Sequence, residues 1–148
     1  MRKLFAVAAL TGSLAAVATI AGMAVMPVHA ADAPANAYCY IGWPRDGEVI
    51  ASGKPFRVWF GLRHMGVAPK GVNFSNTGHH HLLIDTELPP AGQVIPSDRN
   101  HLHFGAGETE TMIELPPGKH TLQLLMGDAD HVPHTPPVKS KKITITVR

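Results

Sequence analysis

The clearest strand signal in the chain is Lys142-Ile143-Thr144-Ile145-Thr146-Val147, in which isoleucine and valine alternate with polar residues. A second predicted strand, Phe56 to Leu62, begins with Phe56-Arg57-Val58-Trp59-Phe60, which combines aromatic and β-branched residues. Successive side chains of a strand point to opposite faces, so this alternation is typical of a strand with one buried face. No amphipathic stretch of three helical turns follows residue 37. The sequence therefore predicts an all-β domain.

Six further short runs of strand-forming residues lie between and before these two. They are Tyr38 to Gly42, Glu48 to Ile50, His79 to Asp85, His101 to Phe104, Glu110 to Glu114 and His120 to Met126. Turn residues such as Asp46-Gly47 and Pro116-Pro117-Gly118 separate the runs at short intervals. Many short strands at such spacing are typical of a sandwich, and we expect a small immunoglobulin-like β-sandwich of about seven or eight strands.

The first thirty residues have the three parts of a secretory signal peptide. Arg2 and Lys3 precede an apolar, alanine-rich stretch, which ends at the small-residue site Val28-His29-Ala30. A membrane anchor is the weaker interpretation, because alanines and threonines make the stretch only weakly hydrophobic. We therefore predict cleavage after Ala30 and a periplasmic or secreted product that is not attached to the membrane.

The expected mature chain divides into two parts. Residues 31–37 are small and contain a proline, which predicts a disordered leader, and residues 38–148 form the histidine-rich β-sandwich domain. Cleavage removes two of the 13 Lys and Arg residues, so that the remainder equals the 11 Asp and Glu residues. A domain without net charge or a clustered basic face gives no support to nucleic-acid binding.

Cys39 is the only cysteine, so no intramolecular disulfide can form. We expect it to be a small buried apolar residue rather than a metal ligand.

Histidine is the most unusual feature of the composition, with nine of the ten histidines after the predicted cleavage site. Four of them form two His-x-His pairs, His79 with His81 and His101 with His103. Within each pair the side chains share one strand face, with Cβ atoms about 6.6 Å apart. From that separation two imidazoles can converge on one ion about 2.0 Å from each nitrogen.

We therefore predict a metal site with the ligands His79, His81, His101 and His103, provided that the two strands are neighbours. His80, His131 and His134 are secondary candidates, the last two in a proline-stiffened loop. Imidazole suits a copper ion or a zinc ion, while the chain has no thiolate set for an iron–sulfur cluster and no carboxylate cluster for calcium. The competing interpretation is that these imidazoles bond loop backbone or line a solvated strand face.

Four segments resemble an uncharacterised family of short exported bacterial proteins, the domain of unknown function 4399. The segments are Asn76 to Asp85, His101 to Gly105, Leu115 to Leu124, and His131 to Val138. The resemblance spans nearly the whole predicted mature chain and implies an exported bacterial domain. It implies no activity.

Three functions remain open on the sequence. The leading hypothesis is a periplasmic protein that binds copper or zinc for sequestration or delivery. The alternative is a non-metal interaction module whose histidine face contacts another envelope protein or a polymer. A copper- or zinc-dependent enzyme ranks third, because the sequence shows no nucleophile elbow, no phosphate-binding glycine loop and no evident general base; we name no catalytic residue.

Overall fold

The computed structural model describes residues 30–148, which contain nine strands and no helix. The strands are β1 (Tyr38–Trp43), β2 (Val49–Ile50), β3 (Phe56–Arg63), β4 (Gly66–Val67), β5 (Thr77–Ile84), β6 (His101–His103), β7 (Glu110–Ile113), β8 (Gly118–Gly127) and β9 (Ile143–Val147). Apart from Ala30, the predicted signal peptide lies outside the described residues. Within the described part there is accordingly no helix long and apolar enough to cross a membrane.

The strands form two sheets. One has the order β1-β3-β7, and the other has the order β2-β9-β8-β5-β4, with β6 also paired to β5. The long strands are antiparallel to their neighbours, and only the two-residue strands β2 and β4 pair in parallel. An immunoglobulin-like sandwich divides its consecutive strands between two sheets in this way. The predicted fold class is confirmed.

The core lies between the two sheets and follows the alternation of the strands. In β3 every second residue from Phe56 to Phe60 is buried, and in β8 Leu122 and Leu124 are buried from the other side. Cys39 belongs to this core, where burial raises the pKa of its thiol to about 12. The expectation of a small buried apolar residue at this position is therefore met.

The outer face of the six-stranded sheet is also covered. Leu83 of β5 and Leu125 of β8 point away from the main core and pack with Ile95, which belongs to the long loop after β5. A second loop, after β8, joins this cover through a hydrogen bond from the Ile95 amide to the His131 carbonyl at 2.7 Å. Side chains on the outer face of β5 are consequently shielded from water.

Residues 31–37 differ from the predicted disordered leader, because the structure places them against the domain. Asp32 forms a parallel bridge with Thr135, and Ala33 and Ala37 pack against the main core. The amide of Ala33 donates to the Thr135 carbonyl at 3.0 Å. Backbone pairing, which the small side chains do not reveal, orders this segment.

Candidate metal centre

Strand β5 contributes two histidines to its outer face. His79 and His81 are opposite Gly127 and Leu125 of β8, and their side chains share the face of Leu83. They are 0% and 1% exposed, because the two covering loops lie above them. Alternation along the strand thus gives the shared face that the sequence predicts for this pair.

Strand β6 adds a third histidine. His103 is directly opposite His81 in the antiparallel pairing of β5 with β6. Directly opposed residues project to the same side of a sheet, with Cβ atoms about 5 Å apart. His103 therefore joins the face of His79 and His81, at a half-buried position.

The loop after β8 supplies a fourth imidazole, from His131. This residue has a left-handed backbone, with φ of 64°, which is uncommon outside glycine and needs local support. The Asp128 carboxylate supplies that support, since its Oδ1 accepts hydrogen bonds from the amides of Asp130 and Val132 at 2.9 Å each. The resulting turn, residues 128–132, directs His131 towards β5.

These four side chains, which we call the histidine tetrad, form one compact cluster: His79, His81, His103 and His131. Their ring centroids are between 4.7 and 6.0 Å apart in all six pairs. One ring nitrogen from each of His79, His81 and His103 lies within 4.8 Å of the other two. The Nε2 atoms of His103 and His131 are 3.1 Å apart. Ligands of one tetrahedral ion stand about 3.4 Å apart.

The buried nitrogens of the tetrad lack partners within the described residues. Both ring nitrogens of His79 and of His81 are buried without a hydrogen bond there. Such unpaired polar atoms are costly, because buried polar atoms are normally satisfied by a protein group, a water molecule or an ion. One nitrogen of each ring can face a shared ion, so the unpartnered nitrogens of His79 and His81, together with a nitrogen of His103 within 4.8 Å, fit a cation site.

Three rings of the tetrad, those of His79, His81 and His103, are held in the neutral form. Burial, followed by the charges of the neighbouring histidines, lowers the pKa of His79 to about 4 and that of His81 to about 2. Burial and the neighbouring His131 also lower the pKa of His103. Metals bind the neutral imidazole, so these rings need not release a proton at pH 7 before they bind.

Two glycines make room for the rings. A methyl group added at Gly127 would lie 2.8 Å from Cε1 of His81, and one added at Gly105 would lie 2.4 Å from Cε1 of His103. Real side chains do not approach so closely, so each ring occupies the space that a Cβ atom would take. Gly105 and Gly127 leave the space that these rings occupy, and histidine spacing does not identify them.

The model of the family described as "Domain of unknown function (DUF4399)" matches residues 58–148, which include the whole tetrad. The chain belongs to this family. The match leaves out β1 and β2 but includes both glycines at the tetrad. None of the curated proteins matches the DUF4399 chain significantly.

Solved structures with a similar chain path include two from bacteria. The fibronectin(III)-like modules of Clostridium thermocellum CbhA share 14% identity at a TM-score of 0.44, covering 74% of this chain and 93% of theirs. The endo-β-1,4-mannanase from Thermotoga petrophila shares 17% identity at a TM-score of 0.42, covering 76% of this chain. The DUF4399 chain spans only 20% of that mannanase.

The structure places His101 outside the tetrad. His101 is opposite Leu83, because the antiparallel register that sets His103 against His81 carries His101 away from His79. Its Nδ1 lies 2.9 Å from Oδ1 of Asp98 instead. The predicted grouping of two complete pairs is corrected: His131 replaces His101 as the fourth member.

The other two secondary candidates also lie elsewhere. His80 points into the main core, where its ring centroid is 4.9 Å from that of Phe60, and burial lowers its pKa to about 4. His134 is buried and its Nε2 donates to the Thr77 carbonyl at 3.0 Å. Neither ring is part of the cluster of nitrogens, and of the secondary candidates only His131 is.

His120 of β8 is a different kind of histidine. Its Nδ1 is 2.6 Å from Oδ2 of Asp85, and its Nε2 is 2.9 Å from the Pro116 carbonyl. Burial opposes a charge on this ring, but the hydrogen bonds to Asp85 and Pro116 outweigh burial and raise its pKa. Both nitrogens are engaged, so His120 is a structural residue with no free position for a metal or a proton transfer.

Proposed function

We propose that this domain is an exported, periplasmic or secreted protein that binds one copper or zinc ion through His79, His81, His103 and His131. The observation that carries the proposal is that ring nitrogens of His79, His81 and His103, one from each, lie within 4.8 Å of one another, while those of the buried His79 and His81 have no partner among the described residues. His131 joins them through its Nε2, which is 3.1 Å from Nε2 of His103. Its role is sequestration or delivery of the ion, with the metal as cargo.

The donor set favours storage over catalysis. Four imidazoles complete a tetrahedral shell, whereas catalytic zinc sites keep one position for water or substrate. Copper(II) has the higher affinity for nitrogen ligands, and zinc follows it. An exported protein encounters copper more readily than a cytosolic protein does, so we rank copper before zinc.

Asp128 reduces the cost of a buried ion. Four neutral rings leave the charge of the ion uncompensated, and an isolated buried charge is strongly disfavoured. The Asp128 carboxylate is within electrostatic reach, since it acts on the pKa of His79 in the direction opposite to burial. A negative group beside the tetrad therefore supports cation binding.

Equilibrium dialysis of the exported protein against Cu(II) or Zn(II) tests the proposal. We expect one ion per chain, and loss of that ion in the combined variant His79→Ala, His81→Ala, His103→Ala. The matched control is His64→Ala, which removes a histidine from outside the cluster. Equal uptake by the combined variant and the control would contradict a site at the tetrad.

The alternative function is an interaction module that needs no metal. Its contact surface would be the outer face of the three-stranded sheet. This face exposes Tyr38, Trp59 and Met112, the last at 60%. Exposed apolar side chains that lie together are a common feature of contact surfaces. This function would be favoured over the first if no ion is bound in the dialysis and if the domain binds another protein or polymer that the Trp59→Ala variant no longer binds.

A further inference from the structure

The Asp128 carboxylate has a second contact, at the start of the described chain. Asp128 is only 6% exposed, and while its Oδ1 holds the 128–132 turn, its Oδ2 accepts a hydrogen bond from the Ala31 amide at 3.0 Å. Among residues 30–148, no Lys, Arg or His nitrogen lies within ion-pair distance of this carboxylate. A nearly buried carboxylate thus faces a backbone nitrogen rather than a cation.

The backbone around Ala31 is fixed in place. The Thr135 amide donates to the Ala31 carbonyl at 3.0 Å, and the Ala33 amide donates to the Thr135 carbonyl at the same distance. Ala31 is therefore aligned beside the loop that carries His131. Its nitrogen points at Asp128 as a result of this pairing.

Ala31 is also the residue that follows the predicted cleavage site Val28-His29-Ala30. Hydrolysis of the Ala30–Ala31 peptide bond by a leader peptidase consumes one water, leaving a carboxylate on Ala30 and an α-ammonium group on Ala31. An α-amino group is mostly protonated at pH 7. The amide that now contacts Asp128 would become a cation at the same position.

We propose that removal of the leader completes the metal centre, because the new α-ammonium group of Ala31 pairs with Asp128 and so fixes the turn that carries His131. The Ala31 amide already donates a hydrogen bond to the Asp128 carboxylate, and the α-ammonium group adds the attraction of opposite charges to that contact. The processed protein consequently holds His131 more firmly than the precursor does. The effect on metal affinity rests on the proposed function, whereas the ion pair itself does not.

A double-mutant cycle on exported protein, produced from the full chain, tests the pairing. One change inserts Gly-Ser between Ala30 and Ala31, which makes the Ala31 nitrogen an amide again, and the other is Asp128→Asn. A shallow cleft lined by Ala31, Asn73 and Asp130 adjoins the contact and leaves room for the insertion. Intact mass and N-terminal sequencing establish where each mature chain begins.

We expect the unmodified chain to begin at Ala31, and the insertion to weaken Zn(II) affinity about fivefold and to lower the melting temperature of the metal-free protein. In the Asp128→Asn background the insertion should change the affinity less than about twofold. The matched control Asp32→Asn, which removes an exposed carboxylate next to Ala31, should leave both quantities unchanged.

Two results would overturn the proposal: a mature chain that begins elsewhere, or an insertion that has the same effect with and without Asp128. If Asp128→Asn does not fold, Asp128→Ser takes its place, since its hydroxyl still accepts one amide hydrogen bond. If no variant binds Zn(II) or Cu(II), the proposed function fails, but the melting temperatures of the metal-free proteins still decide whether the ion pair exists.

Discussion

His80 and His81 are adjacent in β5 and almost equally buried, yet their surroundings differ in kind. His81 faces the other rings of the tetrad, while His80 lies among core residues such as Phe60 and Phe104. Both rings have unpartnered nitrogens and lowered pKa values. Burial and a low pKa are therefore shared by a core histidine and a candidate ligand. Convergence of several nitrogens on one point is what separates them.

The largest effect should come from removal of a tetrad ring. We expect His81→Ala to weaken Cu(II) and Zn(II) binding by more than about 100-fold, because loss of a direct ligand exceeds the 10–100-fold typical of outer-shell changes. His80→Leu should leave the affinity within about threefold. Competition with a chromogenic chelator measures both. Equal losses in the two variants would remove the distinction between the faces of β5.

A smaller effect should follow from filling the space beside His81. In Gly127→Ala the new methyl group would meet the His81 ring, and we expect about a tenfold loss of metal affinity as the ring is displaced. Gly66→Ala is the matched control, since its methyl group would find its nearest neighbour, Thr77 Cγ2, at 3.4 Å. An unchanged affinity in Gly127→Ala would show that the ring can bind from another position.

The core histidine, His80, should make the stability of the metal-free protein depend on pH. The pKa of His80 is lowered to about 4 in the folded protein. Between about pH 6.5 and pH 4 this ring is therefore protonated in the unfolded chain but neutral in the folded chain. Stability is therefore highest above about pH 6.5 and falls as the pH decreases towards 4. His79 and His81 contribute to the same trend.

His80→Leu should remove part of this pH dependence and raise the stability at pH 7.5 by about 1 kcal/mol, because two unpaired polar atoms leave the core. Urea unfolding at pH 7.5 and pH 5 measures both changes. A variant with the same loss of stability between these two pH values as the unmodified protein would show that His80 has a partner in solution.

Most of the fold could be predicted from alternation and turn residues. Each of the eight predicted strands corresponds to an observed one, with ends that differ by at most two residues. The strand that was missed, Gly66–Val67, has two residues, too few to show a period, and exists through its parallel pairing with β5. Residues 31–37 were missed because backbone bonds to Thr135, rather than apolar side chains, hold them.

The candidate site could be predicted only within single strands. Alternation places His79 and His81 on one face, but the register between strands is a property of the folded sheet. A shift of two residues in the pairing of β5 with β6 would have set His101 opposite His81. Likewise, nothing local indicates that the turn held by Asp128 directs His131 to the same point.

The smallest expected effect tests this register directly. His101 lies one strand repeat, about 6.6 Å, from His103 and is paired with Asp98, so His101→Ala should change metal affinity by less than about twofold. His131→Ala, at the position that replaces it, should weaken binding much more. The same chelator competition compares the two. If instead His101→Ala causes the larger loss of affinity, metal binding must shift the pairing of β6 with β5 by two residues. That shift would set His101 opposite His81 and leave His131 outside the site.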